Sequence, residues 1–267
     1  MVALDENSTV QGDQTYPADC DHSQTDVHTG VVERLREVMA PLTPFDRLVQ
    51  LRSAVPGRIV FTTSFGLEDQ AIFHLLHGLD IDVVTLDTGR LFSETYALWA
   101  ETERHYGRRI RALYPREDAL EALIEKQGID GFYDSVDARH ACCHVRKVEP
   151  LARALNDAKA WVTGLREDQS YYRADGGLIC ADGERGLLKA SPLFDWTRDA
   201  VLAFAHENNV PLNPLHERGF ASIGCAPCTR AIRPGEPERA GRWWWEESDK
   251  RECGLHTREP GGASATS

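Results

Sequence analysis

A chain of 267 residues, 42% of them hydrophobic, is long enough to bury the core of one large α/β domain. Its net charge of −12 argues against binding nucleic acid through the phosphate backbone, and leaves room only for a local basic pocket. No apolar run approaches the roughly 20 residues that cross a bilayer, and the N-terminal stretch is polar and acidic, so neither a membrane anchor nor a signal peptide is expected and the compartment is the cytoplasm.

Residues 1–29 are rich in Asp, Gln, Ser and Thr without apolar periodicity and are expected to be disordered. Helical patterns over Val31–Met39 and Phe45–Val55 precede an apolar strand, Arg58–Phe61, and a polar turn, Thr62–Asp69. A helix then runs to about His77, followed by strand Val83–Leu86, helix Ser93–Tyr106 and a strand around Arg109–Leu113. Further helices are expected over Glu117–Lys126 and across Cys142–Leu155, then strand Ala160–Thr163, a loop, and helix Arg198–Glu207. This alternation predicts one doubly wound, mainly parallel sheet with helices on both faces, which binds ligands beyond the carboxyl ends of its strands. The domain is placed at residues 30–245, with a flexible, polar segment at 246–267.

Three strand ends carry candidate ligand groups. Ser64-Phe65-Gly66-Leu67-Glu68-Asp69 leaves the first strand and opens a helix, so its backbone N–H groups would make an anion site, although a plain helix cap by Ser64 explains the same string. Its spacing matches neither the phosphate loop of P-loop NTPases nor the dinucleotide fingerprint. Leu86-Asp87-Thr88-Gly89-Arg90 reaches the same edge, either to hold a base or ribose or as an ordinary turn. At a third end, Gly164 permits close approach and Arg166 is placed to meet an anion.

Seven cysteines without extracellular spacing point to cytosolic metal and redox chemistry rather than a disulfide framework. Cys142-Cys143 and Cys225-x-x-Cys228 supply the four thiolates that a zinc ion or an iron–sulfur cube needs. A zinc site made of four cysteines usually uses two C-x-x-C knuckles, so the adjacent pair favours iron–sulfur, with zinc as the alternative. Cys253, in the polar tail, has the setting of a nucleophile that must travel, and Cys20 and Cys180 receive no role. Of the 30 basic residues only five are lysine, leaving 30 − 5 = 25 arginines, and only those inside motifs are given a function.

Taken in order, Ser64–Asp69, Leu86–Gly89, Cys142-Cys143-His-Val-Arg-Lys-Val-Glu-Pro150, Gly164–Ser170, Cys225-Ala-Pro-Cys228, Arg239–Trp245 and Glu252-Cys-Gly-Leu-His256 resemble the assimilatory sulfonucleotide reductases, and within them the bacterial adenylyl-sulfate (APS) reductases. The resemblance implies an adenine-nucleotide α-hydrolase fold, related to the ATP pyrophosphatases. It also implies conversion of APS and reduced thioredoxin, or glutaredoxin, to sulfite, AMP and the oxidised donor, in sulfate assimilation and cysteine biosynthesis. Cys253 would be the catalytic nucleophile, carrying an S-sulfonate. The substrate contacts implied are Ser64, Phe65, Gly66, Leu86, Thr88, Lys147, Gly164, Arg166, Arg239 and Arg242. Cys142, Cys143, Cys225 and Cys228 would hold one [4Fe-4S] cluster per subunit of a homo-oligomer. His256 would help to orient or ionise Cys253 or be merely solvated, Arg146 would join the cationic set or lie on a solvated face, and Trp243-Trp244-Trp245 is expected to pack rather than stack on a base. The alternatives are reduction of the 3′-phosphorylated nucleotide PAPS, a tRNA-thiolating pyrophosphatase, and a zinc-stabilised module without activity.

Overall fold

The computed structural model describes residues 26–169 and 177–246. The chain begins with α1 (Asp26–Met39) and α2 (Pro44–Ala54), the latter capped by the Thr43 side chain, which accepts the Asp46 N–H, with Pro44 in the first turn. There follow β1 (Arg58–Thr63), α3 (Leu67–Leu75), β2 (Asp82–Leu86), α4 (Ser93–Tyr106), β3 (Arg111–Leu113) and α5 (Glu117–Gln127). The second half holds α6 (Val136–Cys143), a π-helical turn (His144–Val148), α7 (Glu149–Ala154), β4 (Ala158–Val162), the hairpin β5 (Ile179–Asp182) and β6 (Leu187–Ala190), and α8 (Arg198–Glu207). Among the described residues no helix is long and apolar enough to cross a membrane.

The six strands lie in the order β3-β2-β1-β4-β6-β5, parallel except for β5 at one edge. Both faces are covered, as the near-continuous apolar strands require. Ile59 and Phe61 of β1, Val83 of β2, and Ala160 and Val162 of β4 point into a core shared with Leu48 and Leu51 of α2, Ile72 of α3, Leu98 of α4 and Val201 of α8. The alternate residues Val60, Val84 and Trp161 point the other way, onto Leu151 and Ala154 of α7. The period-2 alternation thus builds two cores from one sheet and leaves the strand ends to form the site.

Three features differ from the sequence expectation. α1 reaches back to Asp26, into the stretch read as structureless, because its first turn, Asp26-Val27-His28-Thr29, holds a single apolar residue, too few for periodicity to register. The β5–β6 hairpin occupies a stretch read as loop: Asp182-Gly183 and a left-handed Gly186 (φ 65°) close the turn, with the Gly186 N–H donating to the Asp182 carbonyl at 2.8 Å. The helix expected across Cys142 to Leu155 starts at Val136 and is interrupted by the π turn, where the Glu149 N–H reaches back to the His144 carbonyl. Such an inserted residue re-aims the side chains that follow it and is frequent at functional sites.

Candidate active site

At the carboxyl ends of β1, β2 and β4 lies a cavity of about 180 Å³. Ser64, Phe65 and Gly66 from the β1 turn, Leu86 and Thr88 after β2, Gly164 after β4, Lys147 from the π turn, and Arg239 and Arg242 from the C-terminal stretch all line it. Every substrate contact implied by the resemblance except Arg166 therefore lines this one cavity.

The β1 turn is strained. Phe65 is a bulky residue at φ 59°, held by its N–H donating to Thr63 Oγ1 at 3.0 Å and by its buried ring stacking on Trp99 with centroids 5.6 Å apart. With the ring facing the core, Phe65 offers the cavity mainly its backbone. Ser64 does not cap α3: both its N–H (2.6 Å) and its hydroxyl (2.7 Å) donate to Asp69 Oδ2, and the residue at the cap, Gly66, has no side chain to give. The turn therefore folds its donors around the protein's own carboxylate. Burial pushes Asp69 up to about 6, opposed by the hydrogen bonds from Ser64 and Gly66, with nearby Glu68 raising it further. Gly164 is required beside it, since a Cβ there would sit 2.5 Å from Asp69 Oδ1 and 3.0 Å from Glu68 Cβ.

Arg166 is the exception. Fully buried, it is absent from the cavity wall, and its guanidinium is held by Glu68 (2.8 Å), Asp168 and Glu238 (2.8 Å). Its charge answers three carboxylates from three segments, so it braces the site instead of facing an anion. Among the wall residues that went unnoticed in the sequence are Glu238, which also meets Arg198 (3.4 Å), and His216, whose Nδ1 lies 2.8 Å from the Phe220 carbonyl and whose pKa burial pushes below its usual value. The partners of Glu238, Arg166 and Arg198, are remote in sequence, and His216 sits in a short turn whose place on the wall no local pattern marks.

Next to this cavity lies a second, lined by Cys142, Cys143, Cys225 and Cys228 together with Phe132, Trp243, Arg90, Arg139, Arg146 and Lys147. The two cysteine pairs arrive on α6 and on a tight turn, Ala226–Cys228, which is fixed by pairing of Cys225 with Leu91 and by the Ala226 N–H donating to the Arg90 carbonyl at 2.8 Å. Lys147 and Trp243, the latter at φ 42°, line both cavities. Thr88 lies between them: its hydroxyl accepts from Cys225 Sγ at 3.3 Å, and its carbonyl accepts from Arg146 Nη1 at 2.6 Å.

The donors suit a buried anionic sulfur cluster. Four thiols share an apolar cavity rimmed with cations, and the buried N–H groups Arg146 Nε and Trp243 Nε1 on its wall, with Trp245 Nε1 packed against it, have no acceptor from the protein. Thiolate and sulfide sulfurs are acceptors of the kind such donors need. Among the described residues no three His, Cys, Asp or Glu close on one point, and the four cysteines are spaced around one cavity. As bare thiols the cysteines differ: burial, with the charge of Cys225, pushes Cys228 up to about 12, and burial likewise raises Cys142. Cys225 is also opposed by burial, yet Lys147, the Thr88 hydroxyl, which can turn to donate to the thiolate, and the nearby arginines bring it below its ordinary value. Arg242 stacks 4.6 Å over the Trp243 ring and presses against Gly224, where a Cβ would lie 2.3 Å from Nη2. Two members of the tryptophan stripe pack, Trp243 buried and Trp245 4.5 Å from Tyr133 between ring centroids, whereas Trp244 is 38% exposed. Cys180 is buried on β5, whereas Cys20, Cys253 and His256 lie outside the described residues.

Comparison with known proteins agrees with this geometry. The model of the phosphoadenosine phosphosulfate reductase domain matches residues 58–231. The chain is 57% identical over 202 residues to a protein from Agrobacterium fabrum named adenosine 5′-phosphosulfate reductase, covering 75% of this chain and 78% of that one. It is 54% identical over 203 residues to a protein of the same name from Allochromatium vinosum, covering 75% and 79%. Among solved structures, phosphoadenylyl-sulfate (PAPS) reductase from Candida auris in its phosphate complex superposes with a TM-score of 0.65 at 25% identity, covering 79% of this chain and 98% of that one.

Proposed function

This chain belongs to the phosphoadenosine phosphosulfate reductase family, and from that premise we propose that it reduces adenosine 5′-phosphosulfate to sulfite and AMP in sulfate assimilation, through a covalent intermediate on Cys253. The observation that carries the reading is the shared wall: Lys147 and Trp243 border both the cavity at the strand ends and the cavity of four cysteines. A site lined by Lys147, Arg239 and Arg242 in contact with a sulfur-ligand site suits a sulfonucleotide whose reacting group lies against the cysteine side.

In this scheme the Cys253 thiolate attacks the sulfate sulfur of bound APS. A bond forms between the two sulfurs, the bond from that sulfur to the phosphate oxygen breaks, and AMP leaves with the electron pair. A thiolate of thioredoxin, or of a glutaredoxin, then attacks Cys253 Sγ and expels sulfite, and its second thiol resolves the mixed disulfide, so two thiols supply the two electrons. Lys147, Arg239 and Arg242 hold the anionic oxygens of substrate and leaving group, Gly164 lets the backbone approach, and Arg166 braces the wall by binding Glu68 and Glu238. Cys142, Cys143, Cys225 and Cys228 would hold one [4Fe-4S] cluster, which supplies a buried, fixed centre of charge that orders the adjoining wall. The cytoplasm and a homo-oligomeric assembly complete the proposal.

The test is incubation with APS carrying radiolabelled sulfur, without reductant. Label is expected on Cys253 and is expected to be absent from Cys253→Ser. An unlabelled wild-type protein, or label retained by the variant, would sink the mechanism, and parallel kinetics with PAPS decide between the two nucleotides.

A further inference from the structure

Arg139 and Glu246 form a buried ion pair between residues 107 apart in the sequence. The Arg139 side chain is fully buried and that of Glu246 is 3% exposed. The contact is a two-pronged fork, with Nε donating to Oε1 at 2.9 Å and Nη2 donating to Oε2 at 2.7 Å. Three neighbours fix the fork. Arg139 precedes Cys142 by three residues on α6, its guanidinium hydrogen-bonds the Cys143 side chain, and it lies 4.8 Å over the Trp243 ring. Glu246 is tied in turn, since its N–H donates to the Trp243 carbonyl at 2.9 Å and the Trp243 N–H donates to the Cys228 carbonyl at 3.1 Å.

A buried ion pair adds little stability over apolar side chains of like volume, but it fixes direction as apolar contacts do not. The direction matters here because Cys253 follows Glu246 by 253 − 246 = 7 residues, a span of at most about 25 Å when fully extended. We propose that Arg139 and Glu246 are a positioning pair, which fixes on the wall of the four-cysteine cavity the origin and heading of the segment that carries Cys253. The inference deepens the proposed function and rests on its assignment of Cys253 as the nucleophile.

The size of the effect separates positioning from mere tethering. Without the pair, the nearest buried anchor is Trp243, which lengthens the tether from 7 to 253 − 243 = 10 residues. Length alone lowers the effective concentration of the thiol by about 2-fold. Loss of a fixed heading costs far more, because small misplacements of a reacting group lower rates by orders of magnitude.

The experiment uses the anaerobically purified holoenzyme and the double variant Arg139→Leu with Glu246→Leu, which removes both charges at similar volume. Arg139→Lys is the second variant, since it keeps the charge but loses the fork. Three quantities are read: AMP affinity, the single-turnover rate of label transfer from saturating APS to Cys253, and hydrogen exchange of the Trp245 and Glu246 amides without substrate. AMP affinity is expected to stay within about 3-fold, transfer to slow by about 5-fold or more, and the amides to exchange faster. Transfer slowed by less than about 5-fold in both variants, or exchange unchanged, overturns the proposal. Absence of label from the wild-type protein would refute the nucleophile assignment instead, and the exchange measurement distinguishes the two failures because it needs no turnover.

Discussion

Replacing Asp69 by asparagine removes a carboxylate that is buried at the mouth of the β1 turn and pushed from 3.8 to about 6, chiefly by desolvation. Above pH 6 the folded protein holds this group ionised against that preference, at a cost of about 3 kcal/mol from a shift of roughly two pH units. The sign follows from proton uptake: as pH falls through about 6 the folded state takes a proton that the unfolded chain binds only near 3.8, so this group adds stability on acidification. Asparagine has no such dependence, but its single carbonyl oxygen replaces a carboxylate that accepts from both the N–H and the hydroxyl of Ser64, a loss of about 1 kcal/mol. The variant is therefore expected to be more stable by about 2 kcal/mol at pH 7.5, raising Tm by roughly 4–8 °C for a domain of this size. The advantage should shrink as pH falls and vanish near about pH 4.5. Matched thermal scans of both proteins from pH 4.5 to 8 give the answer. A Tm difference independent of pH, or one smaller at pH 7.5 than at pH 5, would refute the burial of a charged Asp69.

Three further substitutions probe the rest of the wall. Gly164→Ala drives a Cβ to 2.5 Å from Asp69 Oδ1, and is expected to cost about 1–3 kcal/mol in thermal melts and to weaken AMP binding by calorimetry about 10-fold. Arg166→Met leaves the buried Glu68 and the partly buried Glu238 without their common partner, so a loss of about 3 kcal/mol at neutral pH is expected. Burial already raises the pKa of Glu238, so this deficit should narrow on acidification as the carboxyls protonate; a deficit constant with pH would count against the network. Lys147→Ala removes the cation common to both cavities, and the visible spectrum of the anaerobic protein, which should change on APS binding in the wild type, should respond less or not at all.

Much of the fold was legible because it depends on local alternation. The apolar runs at Ile59–Phe61 and Val83–Leu86 mark buried parallel strands, and the intervening helical patterns mark the crossovers. The antiparallel hairpin was not, although Asp182-Gly183 sits at its turn: its strands are only four residues long and bury both faces, so they lack the alternation that identifies a half-exposed strand. The four cysteines and the small residues at strand ends declared themselves by type and spacing. The π turn did not, because inserting one residue between α6 and α7 leaves no compositional trace.

By itself the sequence determined which chemistry is available: thiols in two pairs, glycine where the backbone must come close, and cations near the ends of parallel strands. The tertiary structure decided which partner each charged group takes. Arg166 stands two residues from Gly164 on the cavity wall, yet it turns inward, because strand order brings β4 beside β1 and so places Glu68 at its guanidinium, while the C-terminal stretch delivers Glu238. Asp69 lies in the turn expected to hold an external anion and instead occupies the Ser64 donors itself. Lys147 and Trp243 become the common wall of two cavities only after segments nearly a hundred residues apart are packed together. Local spacing encodes periodicity and donor type, whereas the pairing of long, charged side chains depends on which distant carboxylates the folded sheet delivers within hydrogen-bond reach.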